Sequence, residues 1–347
     1  MKKQWRVILG IFVILLAAAV FVPQEANADS GYKRVKLSEL EYMWDRSERV
    51  WHPTPRVKYG KYYYWAVKDG TDYDNGSGYS VYKIDYYRAK SKTGSGTKLF
   101  SSYETRGGYN DMLEFYTNGT YIIKTESSLK NQGISVCRYN MKGKNKKTLQ
   151  RFNAGISSDV GKGFDSYCEV SILKVYGGKV YVSYHSSGYS MTAEILSFPV
   201  KKKKTAQTIT TTYNYFSPAG KYIGFVGNEG TTIYNLKTGK THKISSSKVV
   251  YLGRYKSKEY YYIDKGTEKK SIYRANASWK KRTKVGTIPD WEPFMKGKLI
   301  YFFKWDNSCH VYDIFKKNLK DITSEKYHAV SADYYARKPF KEKNINW

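Results

Sequence analysis

Cysteine is nearly missing from this chain: Cys137, Cys168 and Cys309 are the whole supply in 347 residues. So odd and sparse a set does not make a disulfide framework, although a single pair stays open beside three separate, partly buried thiols. Histidine is scarce too, at five residues, and neither His-Glu-x-x-His nor Cys-x-x-Cys occurs. No metal and no other cofactor is therefore expected. A Gly-x-Ser-x-Gly nucleophile elbow is absent, and no stretch is long enough to hold an attached α/β-hydrolase. Acid is short: 30 Asp and Glu stand against 60 Lys and Arg. Amphipathic helical patterns are almost absent, the one short candidate being "LSELEYMWDRSE" from residue 37.

What is present begins with "MKKQWRVILGIFVILLAAAVFVPQEANADS", basic residues followed by an apolar run from Val7 to Val22 and then Ala26-Asn27-Ala28. This is the pattern of a secretory signal cleaved after Ala28, residues 1–28. The apolar run falls short of the roughly 20 residues of a comfortable membrane span. No cysteine lies near the cleavage point to carry a lipid anchor. Cleavage leaves 57 basic and 29 acidic residues, a net charge of +28. In a secreted, extracellular protein associated with the cell wall, that excess implies an anionic partner. Export makes nucleic acid an improbable one; anionic cell-wall or envelope polymers and acidic glycans are the natural candidates, with only peripheral membrane contact.

Two phrases recur through the rest. The first is a turn running into alternating aromatic and aliphatic residues: "YGKYYYWAV" at 59, "NGTYIIKTE" at 118, "GGKVYVSYH" at 177, "AGKYIGFVG" at 219, "SKEYYYIDK" at 257 and "KGKLIYFFK" at 296. Gly60, Gly119, Gly178, Gly220 and Gly297 mark the turn, and Lys258-Glu259 stand in for it in the fifth copy. Each reads as a hairpin entering a half-buried strand. The second phrase follows at Tyr82, Cys137, Leu196, Tyr234, Tyr273 and Tyr312, spaced by 55, 59, 38, 39 and 39 residues. A unit of about 40 residues with four short strands is the signature of a β-propeller blade.

The expected fold is all-β, a six-bladed β-propeller of four-stranded antiparallel blades, with five or seven blades as open alternatives. One propeller domain spans 29–347, with blades near 50–100, 101–149, 150–209, 210–245, 246–286 and 287–325. The tail, 326–347, is expected to close the ring by adding or replacing a strand beside the first blade.

The fourth copy, "YFSPAGKYIGFVGNEGTTIYNLKTGK" from 215 to 240, resembles the repeat of TolB-like propellers, roughly F-S-P-D-G-K-x-I-A-F and then I-Y with a following glycine. Phe216, Ser217, Pro218, Gly220, Lys221, Ile223, Phe225, Ile233 and Tyr234 fit, while Ala219 stands at the aspartate. The other five copies share the pattern rather than the letters. The resemblance implies a secreted bacterial propeller that serves as a binding scaffold, or as a gate where a hydrolase domain is attached, as in prolyl oligopeptidase-like enzymes.

In a four-stranded blade A to D, the A–B and C–D turns share one face, and the B–C and D–A loops share the other. The C–D turns, at 88–98, 142–147, 201–204, 237–243, 280–284 and 316–320, hold 22 Lys and Arg and no Asp or Glu. The expected polyanion-binding residues are Lys142, Lys144, Lys146, Lys201, Lys202, Lys203, Lys204, Lys240, Lys281, Arg282, Lys316 and Lys317.

The opposite loops combine acidic and aromatic residues, the mixture that binds a sugar or a peptide. Asp72, Glu104, Arg106, Tyr109, Asp165, Tyr167, Trp291, Glu292 and Asp306 are the candidate ligand-binding residues there, for a glycan or protein. "DGTDYDNGSG" at 69 lacks calcium-loop spacing and a closing glutamate. The reading is an exported binding or scaffold module without catalytic residues. The alternative is a propeller glycosidase or polysaccharide lyase, whose carboxylate pair would be Asp165 with Glu292 or Glu104 with Asp306.

Overall fold

The computed structural model describes residues 31–40, 43–45, 49–74, 80–105, 112–127, 133–153, 168–186, 192–201, 204–267, 269–289, 292–303, 309–321, 327–328 and 340–341. Residues 1–28, where a signal is expected, lie outside them. The chain is all-β and builds six four-stranded antiparallel meanders in succession, the blades of a β-propeller.

Sheet I is β4 (Val57–Tyr59), β5 (Tyr62–Asp74), β6 (Ser80–Ala89) and β7 (Thr97–Thr105). Sheet II is β8 (Met112–Thr117), β9 (Tyr121–Ser127), β10 (Ile134–Asn140) and β11 (Lys147–Phe152). Sheet III is β12 (Cys168–Tyr176), β13 (Lys179–Ser186), β14 (Ala193–Pro199) and β15 (Gln207–Thr212). Sheet IV is β16 (Asn214–Phe216), β17 (Tyr222–Gly227), β18 (Gly230–Asn235) and β19 (Lys240–Ser245). Sheet V is β20 (Lys248–Tyr255), β21 (Lys258–Asp264), β22 (Lys269–Ala275) and β23 (Arg282–Pro289). Sheet VI is β24 (Glu292–Lys296), β25 (Leu299–Phe303), β26 (Cys309–Asp313) and β27 (Asn318–Asp321).

Two compact units divide these sheets: residues 24–228 with 232–242, and residues 243–347 with 229–231. In the first, apolar side chains are buried in the layers between successive sheets. Tyr64, Tyr86, Phe100, Phe115 and Tyr139 join sheets I and II, Val136, Leu149, Val180 and Phe198 join II and III, and Tyr181, Ile195, Ile223 and Phe225 join III and IV. In the second, Tyr260, Ile272, Ile300, Phe302 and Tyr312 fill the layer between V and VI. Each sheet thus buries apolar faces only against its neighbours, as the repeat requires.

One expectation about the N-terminal end changes. Of the helical candidate at 37, residues 37–39 belong instead to a strand, β1 (Lys33–Glu39), antiparallel to β8 as a fifth strand of sheet II. Its apolar spacing arises because Leu37 points inward from the strand while Leu40 and Met43 are buried in the turn that follows, where the Met43 N–H donates to the Leu40 carbonyl at 3.1 Å. Arg34 closes the pairing with a 2.7 Å bond to Glu114. The short strands β2 (Trp44–Asp45) and β3 (Val50–Trp51) pair with each other. So do the described strands of the tail, β28 (Tyr327–His328) and β29 (Phe340–Lys341); the rest of the tail, expected to close the ring, lies outside the described residues.

The A–B turns follow the glycine pattern. Gly60, Gly119, Gly178, Gly220 and Gly297 all take positive φ, between 58° and 84°. In the fifth copy the two-residue connection between Tyr255 and Lys258 places Lys256 (φ 45°) and Ser257 (φ 61°) in the left-handed region, the geometry of a type I′ turn without its glycine.

Candidate functional site

The C–D connections carry the basic residues, and four of them are built by one device. An Asn or Asp at the end of strand C turns its side-chain oxygen onto the amides of the lysine-bearing turn. Asn140 Oδ1 accepts from the N–H groups of Lys142 (3.0 Å) and Lys144 (2.9 Å). Asn235 Oδ1 accepts from Lys237 (3.0 Å), and Asn276 Oδ1 from Lys280 (3.1 Å) and Lys281 (3.2 Å). Asp313 Oδ1 accepts from Phe315 (2.9 Å) and Lys316 (3.2 Å). The lysines are thus presented by closed, hydrogen-bonded turns. Sequence reasoning missed these four residues, although the recurrence of Asn or Asp at that point was there to be seen.

Within the first unit, contacts between neighbouring sheets set their turns side by side. Gly143, at φ +70°, lies so close to β7 that a Cβ there would sit 1.2 Å from the Leu99 carbonyl oxygen. Arg138 donates to the Val200 carbonyl at 2.9 Å, and Lys147 to the Lys201 carbonyl at 3.1 Å. Lys174, 1% exposed near the end of β12, places its ammonium among the carbonyls of Pro218, Gly220 (2.9 Å) and Tyr222 (3.0 Å). The Ser-Pro-Ala-Gly-Lys phrase at 217–221 is therefore a carbonyl cup for a buried lysine from the preceding sheet. The only sequence signal was a lysine inside the apolar run "SILKVY".

Of the predicted basic set, Lys142, Lys144, Lys146, Lys201, Lys204, Lys240, Lys281, Arg282, Lys316 and Lys317 are exposed, whereas Lys202 and Lys203 lie outside the described residues. Two are partly committed inside the fold. Lys146 is tied to the buried Glu126; burial alone would lower its pKa, but the Glu126 hydrogen bond and charge carry it upward. Arg282 donates to the Ile244 carbonyl.

The ligand-binding set fares differently. Arg106, Tyr109, Asp165, Tyr167, Trp291 and Asp306 lie outside the described residues, and Glu292 is placed only as the first residue of β24, paired with Phe303. Asp72 and Glu104 prove to be strand residues, directly paired with Tyr82 on either side of β6, because β5 and β7 run longer than their turn signals suggested.

Asp72 is exposed and pairs with Lys68 at 2.7 Å. Asp69 accepts from Lys83 at 2.5 Å, a bond that holds its carboxyl below the usual range. Lysine ammoniums thus neutralise two carboxylates of the loop that invited a calcium reading.

Glu104 is an internal anchor. Its Oε1 accepts from Tyr86 Oη (2.9 Å), Ser102 Oγ (2.6 Å) and the ammonium of Lys124, a residue 2% exposed. Lys124 also donates to Ser102 at 2.7 Å and lies 4.8 Å from the Tyr86 ring centre. Burial, then the Glu104 charge, pushes the Tyr86 hydroxyl well above its ordinary pKa. Cys137 is a buried free thiol, pushed up to about 12 by burial first and the Glu126 charge second, which makes it inert as a nucleophile.

No protein-family model and no curated protein matches this chain. Among solved structures it is similar to prolyl oligopeptidase B from Galerina marginata bound to a 35mer hydrolysis and macrocyclization substrate, at 10% identity over 81% of this chain and 43% of that one, TM-score 0.47. It is similar also to an oligogalacturonate lyase in complex with manganese (11% identity, 88% and 89% covered, TM-score 0.39). A third is TolB from Acinetobacter baumannii (12%, 76% and 69%, TM-score 0.32). The chain spans 40% of the length of a prolyl endopeptidase that it also matches. These likenesses concern the fold alone.

Proposed function

We propose that the chain is an exported TolB-like propeller that binds an anionic cell-envelope polymer through the basic turns of its blades. The loops at the other end of the blades are left for a glycan or protein ligand. One observation carries this reading: the segments 88–98, 142–147, 201–204, 237–243, 280–284 and 316–320, which join strands C and D and take in their ends, hold 22 Lys and Arg without a single acid, and the side-chain oxygens of Asn140, Asn235, Asn276 and Asp313 accept backbone hydrogen bonds that fix four of these turns. A flexible lysine loses side-chain and loop entropy when it binds; fixing the turn beforehand removes the loop part of that cost. Any single exposed lysine is worth little, so affinity rests on their number.

The test is co-sedimentation of the protein, without residues 1–28, with purified cell walls carrying or stripped of their anionic polymers. Binding that needs the polymers, and that charge reversal at Lys142, Lys144 and Lys201 lowers on the order of tenfold, is the expected result. Equal binding to stripped walls sinks the proposal. Alanine at Asp165 and Glu292 is expected to leave wall binding unchanged.

A further inference from the structure

The C–D hairpin of sheet VI differs from the others in what it shows to solvent. Phe315 is 53% exposed and Leu319 47%, two of the few large apolar side chains so placed among the described residues. Tyr255, from the A–B turn of sheet V in the same unit, meets Phe315 edge-on with ring centres 5.8 Å apart. Lys256 lies 5.6 Å from the Tyr255 ring centre and 5.7 Å from that of Phe315. Lys256, Lys258, Lys316, Lys317 and Lys320 are all exposed, and residues 314–320 contain no acid. The nearest carboxylate on the hairpin, Asp313, is buried and occupied by Lys298 at 2.8 Å while it caps the turn. Lys317, at φ 53°, closes the tip with a 2.8 Å bond from its N–H to the Asp313 carbonyl.

We infer that this hairpin is a membrane-surface wedge: Phe315 and Leu319 enter the headgroup boundary of an anionic bilayer while the surrounding lysines bind its phosphates. Two apolar side chains and a bordering ring are far too small a patch for a stable protein interface, which needs about 800 Å² from each partner. An anionic bilayer asks for less, a few apolar groups at the boundary and several cations within a Debye length. The tip is held by Asp313, so it needs no ordering on contact. The inference does not depend on the polymer reading: Lys316 and Lys317 enter both, but the exposed Phe315 and Leu319 and a bilayer ligand carry this one.

The experiment is flotation of the protein with large unilamellar vesicles of phosphatidylcholine alone, or with phosphatidylglycerol added, in parallel with binding to soluble poly(glycerol phosphate). The variants are Phe315→Ser with Leu319→Ser, both at exposed positions, and Phe315→Trp read by quenching from brominated phosphatidylglycerol. Expected are flotation with anionic vesicles only, a loss of about tenfold or more in the double serine variant with soluble polymer binding unchanged, and added quenching in the tryptophan variant. Undiminished flotation of the double serine variant overturns the wedge, as does binding of the soluble polymer without any vesicle binding. Flotation without polymer binding keeps the wedge and removes the polymer proposal.

Discussion

Ser257 occupies a backbone conformation that a side chain disfavours, and it does so in the one A–B turn whose glycine is missing. The left-handed region costs a non-glycine residue roughly 1–2 kcal/mol, against which the extra unfolded-state freedom of glycine recovers only part. Ser257→Gly is therefore expected to stabilise the protein by about 0.5 kcal/mol, read as a higher urea midpoint at unchanged slope. Asp313 gives the pH prediction. The Lys298 hydrogen bond, then the Phe315 and Lys316 amides, lower its pKa from 3.8 to about 2, with burial opposing. A depressed folded-state pKa contributes stability that is full above the unfolded value and lost as the pH falls through about 2. Asp313→Asn keeps an oxygen to cap the turn but removes the charge. Its stability is expected to converge on that of the parent between about pH 4 and pH 2; a difference unchanged across that window defeats the assignment.

Strands and turns respond to different losses. Leu37 in β1 is wholly buried against sheet I and II residues, and Leu37→Ala is expected to cost about 2–5 kcal/mol, visible in thermal or urea unfolding. A loss under 1 kcal/mol would mean that β1 adds little to sheet II. Lys174 joins sheets III and IV through three carbonyls. Lys174→Met keeps the stem but orphans those acceptors, and is expected to destabilise by about 2 kcal/mol or more. Asn140→Ala removes the cap of one basic turn at about 1 kcal/mol. It should also weaken wall binding beyond what stability explains, since Lys142 and Lys144 then lose their fixed turn.

Over the whole molecule the governing quantity is charge. Most of the described Lys and Arg side chains are exposed, and an exposed array is screened by salt. The Debye length shrinks from about 10 Å to about 3 Å between 0.1 and 1 M salt. Polymer binding should fall steeply over that range, whereas thermal stability, which rests on apolar layers and on buried pairs such as Lys124 with Glu104, should change little. Parallel titrations by sedimentation and by calorimetry separate the two, and a melting temperature that fell together with binding would contradict the division.

The repeat was legible because each blade buries its apolar faces in the same way, so the aromatic and aliphatic pattern recurs every 38 to 59 positions, with a turn glycine in five of the six copies. That local chemistry determined the all-β class, the four-stranded units and the acid-free basic turns. Tertiary structure alone decided the rest. Strand pairing placed residues 37–39, read as the start of a helical pattern, at an edge of sheet II, since the partner β8 lies some eighty residues away and leaves no local mark. Glu104 and Asp72 read as loop acids, but their neighbours across β6 and the lysines at 124 and 68 made them internal or paired. Which lysine is buried in a carbonyl cup and which faces solvent depends on atoms from other sheets, and single-chain spacing carries no record of them.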